Sequence, residues 1–321
     1  MITLFISLIL AFLVVLLVMP KAIPFLHRLK FGQEIREEGP QWHQVKSGTP
    51  TMGGIVILVA MIISVLGALV MGDLSTTQLS LLFLTLAYGV IGFIDDYIKV
   101  VKKRNLGLNS KQKLIGQIVV GVLFVWLSGG FTSDATYLSI PFTDFELDFG
   151  IIYPFVALFW LVGFSNAVNL TDGLDGLVSF TAIPTFLFFG LYSWFIADEV
   201  GAACFAFSAV GALIGFLIFN AHPAKIFMGD TGSLALGAAL AGLSIVLKLE
   251  LLLVLIGIVF VVETLSVILQ VISFKTTGKR IFKMSPIHHH FEMVGWSEWR
   301  IVGTFAGISC LMAFIAYLFI Q

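Results

Sequence analysis

The chain has 321 residues, 59% of them hydrophobic and only 12% charged, with a mean hydropathy of +1.04 and a formal net charge of −1. Soluble domains do not have this composition, and a near-neutral balance gives no reason to expect a nucleic-acid partner. Charge-free apolar runs of ~17–25 residues read as transmembrane helices, because backbone in lipid must satisfy its own hydrogen bonds.

In chain order, ten spans are predicted, at 2–20, 52–72, 76–96, 114–131, 150–169, 177–196, 200–220, 230–247, 251–272 and 300–320. The first has no basic n-region and no A-x-A site, so it reads as an uncleaved span rather than a signal peptide. An even count puts both termini on one side. Seventeen of the 18 Lys and Arg residues then fall on the other side, and only Lys248 does not. The positive-inside rule makes the basic side cytoplasmic and both termini external. The acidic external loop 132–149 partly alternates apolar and polar residues about Thr143–Asp144, which suggests a small β-hairpin. Cys204 and Cys310 lie in apolar runs without metal or redox spacing and read as buried small side chains. The expected architecture is an all-α polytopic integral membrane protein, one domain over 1–321.

Four polar clusters interrupt the apolar pattern, all at the cytoplasmic ends of spans. In "IDDYIKVVKK" (94–103), residues four apart share a helical face, so Asp95 and Lys99 line one side while Asp96 looks elsewhere. A helix end meeting water, with one ion pair, would explain this segment equally well. In "SNAVNLTDGLDGL" (165–177), Asn166, Asn169, Asp172 and Asp175 recur every three residues as one polar stripe. Thr171 or Asp172 could instead cap the next span. In "FNAHPAKIFMGDTGS" (219–233), Asn220 closes a span, Phe227 offers a stacking face, and Asp230 lies between glycines, as a metal ligand or as a plain helix cap. In "KMSPIHHHFEMVGW" (283–296), His288, His289 and His290 form a loop triplet without the spacing zinc requires, and imidazoles facing an anionic substrate fit better.

Two features stand apart. Glu263 lies inside a span, where an unpaired carboxylate is costly, and Gln270 two turns on shares its face. The Gly-rich segment "VKSGTPTMGG" (45–54) lacks a Walker pattern.

Carboxylates, amides, lysines and histidines, with no serine triad and no reactive cysteine, suit phosphoryl transfer. Carboxylate oxygens take Mg²⁺, lysines offset phosphate charge, and a free Asp can act as base. A site at the membrane rim implies one water-soluble and one lipid substrate.

"GTPTMGG", "IDDYIKVVKK", "NAVNLTDGLDGL", "FNAHPAKIFMGDTG" and "PIHHHFE" together resemble the phospho-N-acetylmuramoyl-pentapeptide-transferase family, over essentially the whole chain and in motif order. That family belongs to the polyprenyl-phosphate N-acetylhexosamine-1-phosphate transferase superfamily. The triple histidine points to the muramoyl-pentapeptide branch.

The resemblance implies a bacterial plasma-membrane enzyme of peptidoglycan synthesis that works at the cytoplasmic face. It would join UDP-N-acetylmuramoyl-pentapeptide to undecaprenyl phosphate, giving lipid I and UMP, with Mg²⁺ required. It further implies Asp230 on Mg²⁺, Asp95 as base or covalent nucleophile with Asp96 in support, and Lys99 and Lys113 on phosphate, with Lys46 in the same pocket. Asn169, Asp172, Asp175, Asn220 and Phe227 would form the nucleotide pocket, with Asn166 and Gln270 counted among the substrate-binding groups. His288 and His290 would hold the sugar phosphate, and His289 is counted with the catalytic groups. A bend in the ninth span and a homodimer are implied as well. An N-acetylglucosamine-1-phosphate transferase is the related alternative, opposed by "PIHHHFE". A transporter would line a through-path, yet only Glu263 lies deep in a span.

Overall fold

The computed structural model describes residues 2–28, 48–70, 75–102, 107–130, 136–143 and 145–320. The apolar runs become α1 (Ile2–Arg28), α2 (Gly54–Val70), α3 (Thr76–Val101), α4 (Ser110–Leu127), α5 (Tyr153–Thr171), α6 (Leu177–Phe195), α7 (Val200–Asn220), α8 (Gly229–Val246), α9 (Glu250–Ile256), α10 (Ile258–Thr277), α11 (Ile287–Val294) and α12 (Glu298–Phe319). Among the described residues, nine of these are long and apolar enough to cross a membrane, and α2 is a shorter tenth.

Departures from expectation have local causes, and one implied feature is met. The first helix continues to Arg28 through Pro20 and Pro24, because Leu26 beyond them is buried in the main core. A proline costs a hydrogen bond but holds a helical φ, so burial decides where the helix stops. The ninth span breaks at Gly257 into α9 and α10, which is the bend the resemblance implied. The three histidines are not in a loop but on α11, which opens after Pro286 and closes at the left-handed Gly295. Proline before a helix and glycine after it are the ordinary stop signals for so short an element. Cys204 is buried as expected, but Cys310 is exposed on α12, where an apolar lipid-facing surface accepts a small thiol as readily as a core does.

The centre of the bundle is α8, in which every residue from Thr231 to Ile245 is buried. Its Gly and Ala side chains let neighbouring helices approach closely. At Gly92 of α3 an added Cβ would overlap the Asp230 carbonyl group. Only glycine permits that approach, and it brings the end of α3 against the first turn of α8.

At the opposite end, β1 (Tyr137–Ser139) and β2 (Glu146–Asp148) pair antiparallel, with Leu138 opposite Leu147. This is the expected hairpin; Asp144 in its turn lies outside the described residues. Beside it, Tyr153 donates to Glu250 Oε1 at 2.5 Å, Lys248 Nζ donates to the Tyr153 hydroxyl at 3.0 Å, and the same ammonium sits over the Tyr137 ring. Glu250→Ala removes the acceptor of the buried Tyr153 hydroxyl, and thermal unfolding in detergent should show a loss of roughly 1–3 kcal/mol of stability.

Candidate active site

Five helix ends converge at the face that charge asymmetry assigns to the cytoplasm: the C-termini of α3, α5 and α7 and the N-termini of α4 and α8. Asp230, in the first turn of α8, lies at their centre. Its Oδ2 is 3.1 Å from Lys99 Nζ and 3.0 Å from Lys113 Nζ, and its Oδ1 accepts from Asn169 Nδ2 at 2.8 Å. Lys113 is held in the first turn of α4, which Asn109 and Gln112 close with a reciprocal capping box. Asn169 also donates to Ser233 Oγ at 2.9 Å, so α5 is fastened to the second turn of α8.

The two adjacent carboxylates of α3 do different things. Asp95 Oδ2 is 2.6 Å from Lys99 Nζ, and its Oδ1 accepts from Leu108 N at 2.7 Å. Asp96 accepts from Asp230 N at 3.2 Å, from Thr231 N at 3.0 Å and from the Thr231 hydroxyl at 2.7 Å. It is therefore the N-cap of α8, supplied by another helix rather than by α8 itself. The free N–H groups and positive dipole end of a helix suit a carboxylate there. Asp230, read from sequence as a possible cap, turns its own side chain to the lysines instead. Neighbouring residues on a helix were expected to diverge, yet one oxygen from each of Asp95, Asp96 and Asp230 lies within 4.8 Å of the other two. The approach at Gly92 brings this about, because it seats the start of α8 on Asp96 and sets the Asp230 carboxylate against the Lys99 ammonium that Asp95 also meets. An all-oxygen set of this kind fits Mg²⁺.

The stripe at 165–177 does not act as one surface. Asn166 donates to Gln117 Oε1 at 3.1 Å and to Val162 O at 2.8 Å, which ties α5 to α4 away from the acidic centre. Asn169 and Asp172 face that centre. Burial, with Asp230 and Asp96 close by, pushes the Asp172 carboxyl up to about 8. Neither Thr171 nor Asp172 caps α6; Gly176 stands at that N-cap, and the Thr171 hydroxyl donates to Ala167 O. Asp175 turns the other way, to His222 Nδ1 at 2.9 Å and Ala224 N at 3.0 Å.

Other predicted residues are held by backbone. Asn220 is buried, accepts from Gly176 N at 3.1 Å and donates to Ile226 O at 2.8 Å. Gln270 bonds Ile281 N and Phe282 N through its oxygen and Phe282 O through its amide, so it clamps the chain leading to α11. Phe227 is half-buried, and its backbone pairs with Pro50 and Gly53, so the Gly-rich segment docks beside Asp230. Lys46 lies outside the described residues. His288 is fully buried with Nδ1 3.1 Å from Glu263 Oε1, which supplies the partner that Glu263 needs inside a span. Its other edge faces Gly173, where an added Cβ would strike the ring. His289 Nδ1 is 2.6 Å from Glu292 Oε2, and His290 Nδ1 accepts from Lys283 N at 3.2 Å.

Sequence reading missed Thr231, Gln117, His222 and Glu298. The first follows Asp230 directly, but nothing local says that its hydroxyl reaches a residue 135 positions earlier. Gln117, His222 and Glu298 likewise show their roles only through long-range partners.

Comparison with known proteins agrees with this arrangement. The model for glycosyl transferase family 4 matches residues 78–248, a stretch that carries Asp95, Asp96, Asp172 and Asp230. Signature 1 of phospho-N-acetylmuramoyl-pentapeptide-transferase matches residues 46–58. The phospho-N-acetylmuramoyl-pentapeptide-transferase of Bacillus licheniformis is 59% identical over 308 residues, covering 96% of this chain and 94% of that protein. The chain belongs to this family. The Bacillus subtilis and Bacillus pumilus phospho-N-acetylmuramoyl-pentapeptide-transferases are 58% and 59% identical with the same coverage. Membership makes this a multi-pass bacterial membrane protein and a phosphoglycosyl transferase. The described part of signature 1, residues 48–58, is the approach to α2 and its first turn, and Gly53 N and Gly54 N donate to the carbonyls of Phe227 and Met228.

Proposed function

We infer that the chain transfers phospho-N-acetylmuramoyl-pentapeptide from its UDP-linked form to undecaprenyl phosphate, giving lipid I and UMP. The observation that carries this reading is the meeting of Asp95, Asp230, Lys99, Lys113 and Asn169 at one rim of a membrane bundle, where a lipid phosphate and a soluble nucleotide can both arrive.

An oxygen of the lipid phosphate attacks the β-phosphorus of the donor. A new P–O–P link forms, and the bond from that phosphorus to the bridging oxygen breaks, so the oxygen leaves with UMP. Asp95, at Oδ2 beside Lys99, takes any proton still on the attacking phosphate. Lys99 and Lys113 offset negative charge on the phosphates as it redistributes, and positioning with electrostatics supplies most of the catalysis. Asp230 would hold Mg²⁺; when bound, the ion would offset further charge on the diphosphate. Asp96 keeps the α8 N-terminus in place beneath them. Phe227 gives the uracil a ring to stack on, with Asn169, Asp172, Asp175 and Asn220 shaping the rest of the nucleotide pocket. His289 and His290, on the half-open face of α11, meet the sugar phosphate. A phosphate oxygen is already nucleophilic, so no aspartyl intermediate is needed. Assembly as a homodimer belongs to the same reading, and sedimentation in detergent tests it.

The decisive experiment measures UMP release from UDP-N-acetylmuramoyl-pentapeptide by the purified chain. Release should require undecaprenyl phosphate and stop when EDTA removes divalent ions. Release without the lipid phosphate, with the phosphosugar trapped on the enzyme, would replace single displacement by a covalent route.

A further inference from the structure

Some 120 residues after Asp175, the first residue of α12 returns to it. Glu298 Oε1 accepts from the backbone N–H of Asp175 at 2.7 Å, while its Oε2 lies 3.1 Å from His222 Nδ1. The same His222 nitrogen is 2.9 Å from Asp175 Oδ2. One imidazole N–H thus stands between two carboxylates from different elements, the turn after α5 and the start of α12. The edge of the His222 ring packs on Trp299, which also packs on Phe180 of α6.

The consequence is mechanical. Asp175 is a buried carboxylate on a glycine-flanked turn, and its Oδ2 meets both His222 Nδ1 and the Ala224 N–H. Of these contacts, the one through His222 is the one that continues to Glu298 and so to another helix. Glu298 in turn is separated from α11 by only Gly295, Trp296 and Ser297, so the same contact ties the link between α11 and α12 to that turn.

We propose that His222 is a positioning residue for donor binding: by bridging Asp175 and Glu298 it fixes the nucleotide turn against the start of α12. This rests on the donor and the nucleotide pocket inferred above. His222 touches no reacting atom in that pocket, and its effect passes through Asp175. Loss of a bridge of this kind weakens binding that the ground state and transition state share, which appears in KM for one substrate and not in kcat.

His222→Ala in the full-length chain should therefore raise KM for UDP-N-acetylmuramoyl-pentapeptide by roughly tenfold, with kcat within about twofold of the parent and KM for undecaprenyl phosphate unmoved. His222→Asn places an amide N–H where Nδ1 was and should recover KM to within about threefold of the parent. If His222→Ala does not survive extraction, Glu298→Gln keeps the acceptor for Asp175 N and removes the charge facing His222, and it should raise the same KM by about threefold to fivefold. An active His222→Ala with unaltered donor KM, a fall in kcat alone, or an Asn variant as impaired as Ala would overturn the proposal. A parent chain that releases no UMP would instead overturn the function on which it rests.

Discussion

Asp230→Ala should lower UMP release by roughly 1,000-fold or more, with the thermal unfolding midpoint close to that of the parent. The reason is where its oxygens point. They meet two ammonium groups and an amide from three other helices, and none of them supports α8 itself, whose first turn is capped by Asp96. Removing Asp230 leaves Lys99 paired with Asp95 at 2.6 Å, so no isolated charge remains at that position. Lys113 still has the Asn169 oxygen at 3.4 Å. The fold should tolerate the change while the proposed phosphate-binding centre does not. Near-parental turnover by a folded Asp230→Ala protein would remove this residue from the metal and from the reaction.

Asp96→Ala should do the reverse in part, and lose stability first. Three donors from α8 converge on this carboxylate: two backbone N–H groups and the Thr231 hydroxyl. Alanine leaves all three without an acceptor in a buried place, at a cost of roughly 3–5 kcal/mol. The expected signs are a lowered unfolding midpoint, poor recovery from membranes and little residual activity. Asp96→Asn retains one acceptor oxygen and should lie between the two. The informative contrast is with Asp95→Asn, which should keep the parental midpoint and lose turnover. If the two asparagine variants lose stability equally, the separation between a reacting and a supporting carboxylate does not hold.

The one-dimensional pattern carried a large part of the molecule. Membrane spans are legible because a bilayer imposes a length and an apolar composition on contiguous residues, and orientation because Lys and Arg accumulate on one side. The hairpin needed only alternation about a turn. Pro286 and Gly295 could have revealed α11, since both are ordinary boundary residues, but a triple histidine drew the reading toward a loop. The clusters of acids and amides were visible as polar interruptions, and their chemistry followed from residue type.

What the sequence could not decide was which of those groups face one another. Asp96 and Asp230 are 134 positions apart, and Asp175 and Glu298 are 123 apart. A stripe of Asn and Asp at three-residue spacing looks like one surface, yet the turn after α5 sends Asn166 to α4, Asn169 and Asp172 to α8, and Asp175 to α12. Adjacent Asp95 and Asp96 look divergent on an isolated helix. They acquire separate roles only because Gly92 lets α8 come close enough to be capped by one of them. Composition and local periodicity therefore determined that this is a bundle of membrane helices with its polar chemistry at one rim. Helix packing, which depends on where side chains are small enough for backbones to touch, decided which carboxylate caps α8, which meets the lysines and which is held by His222.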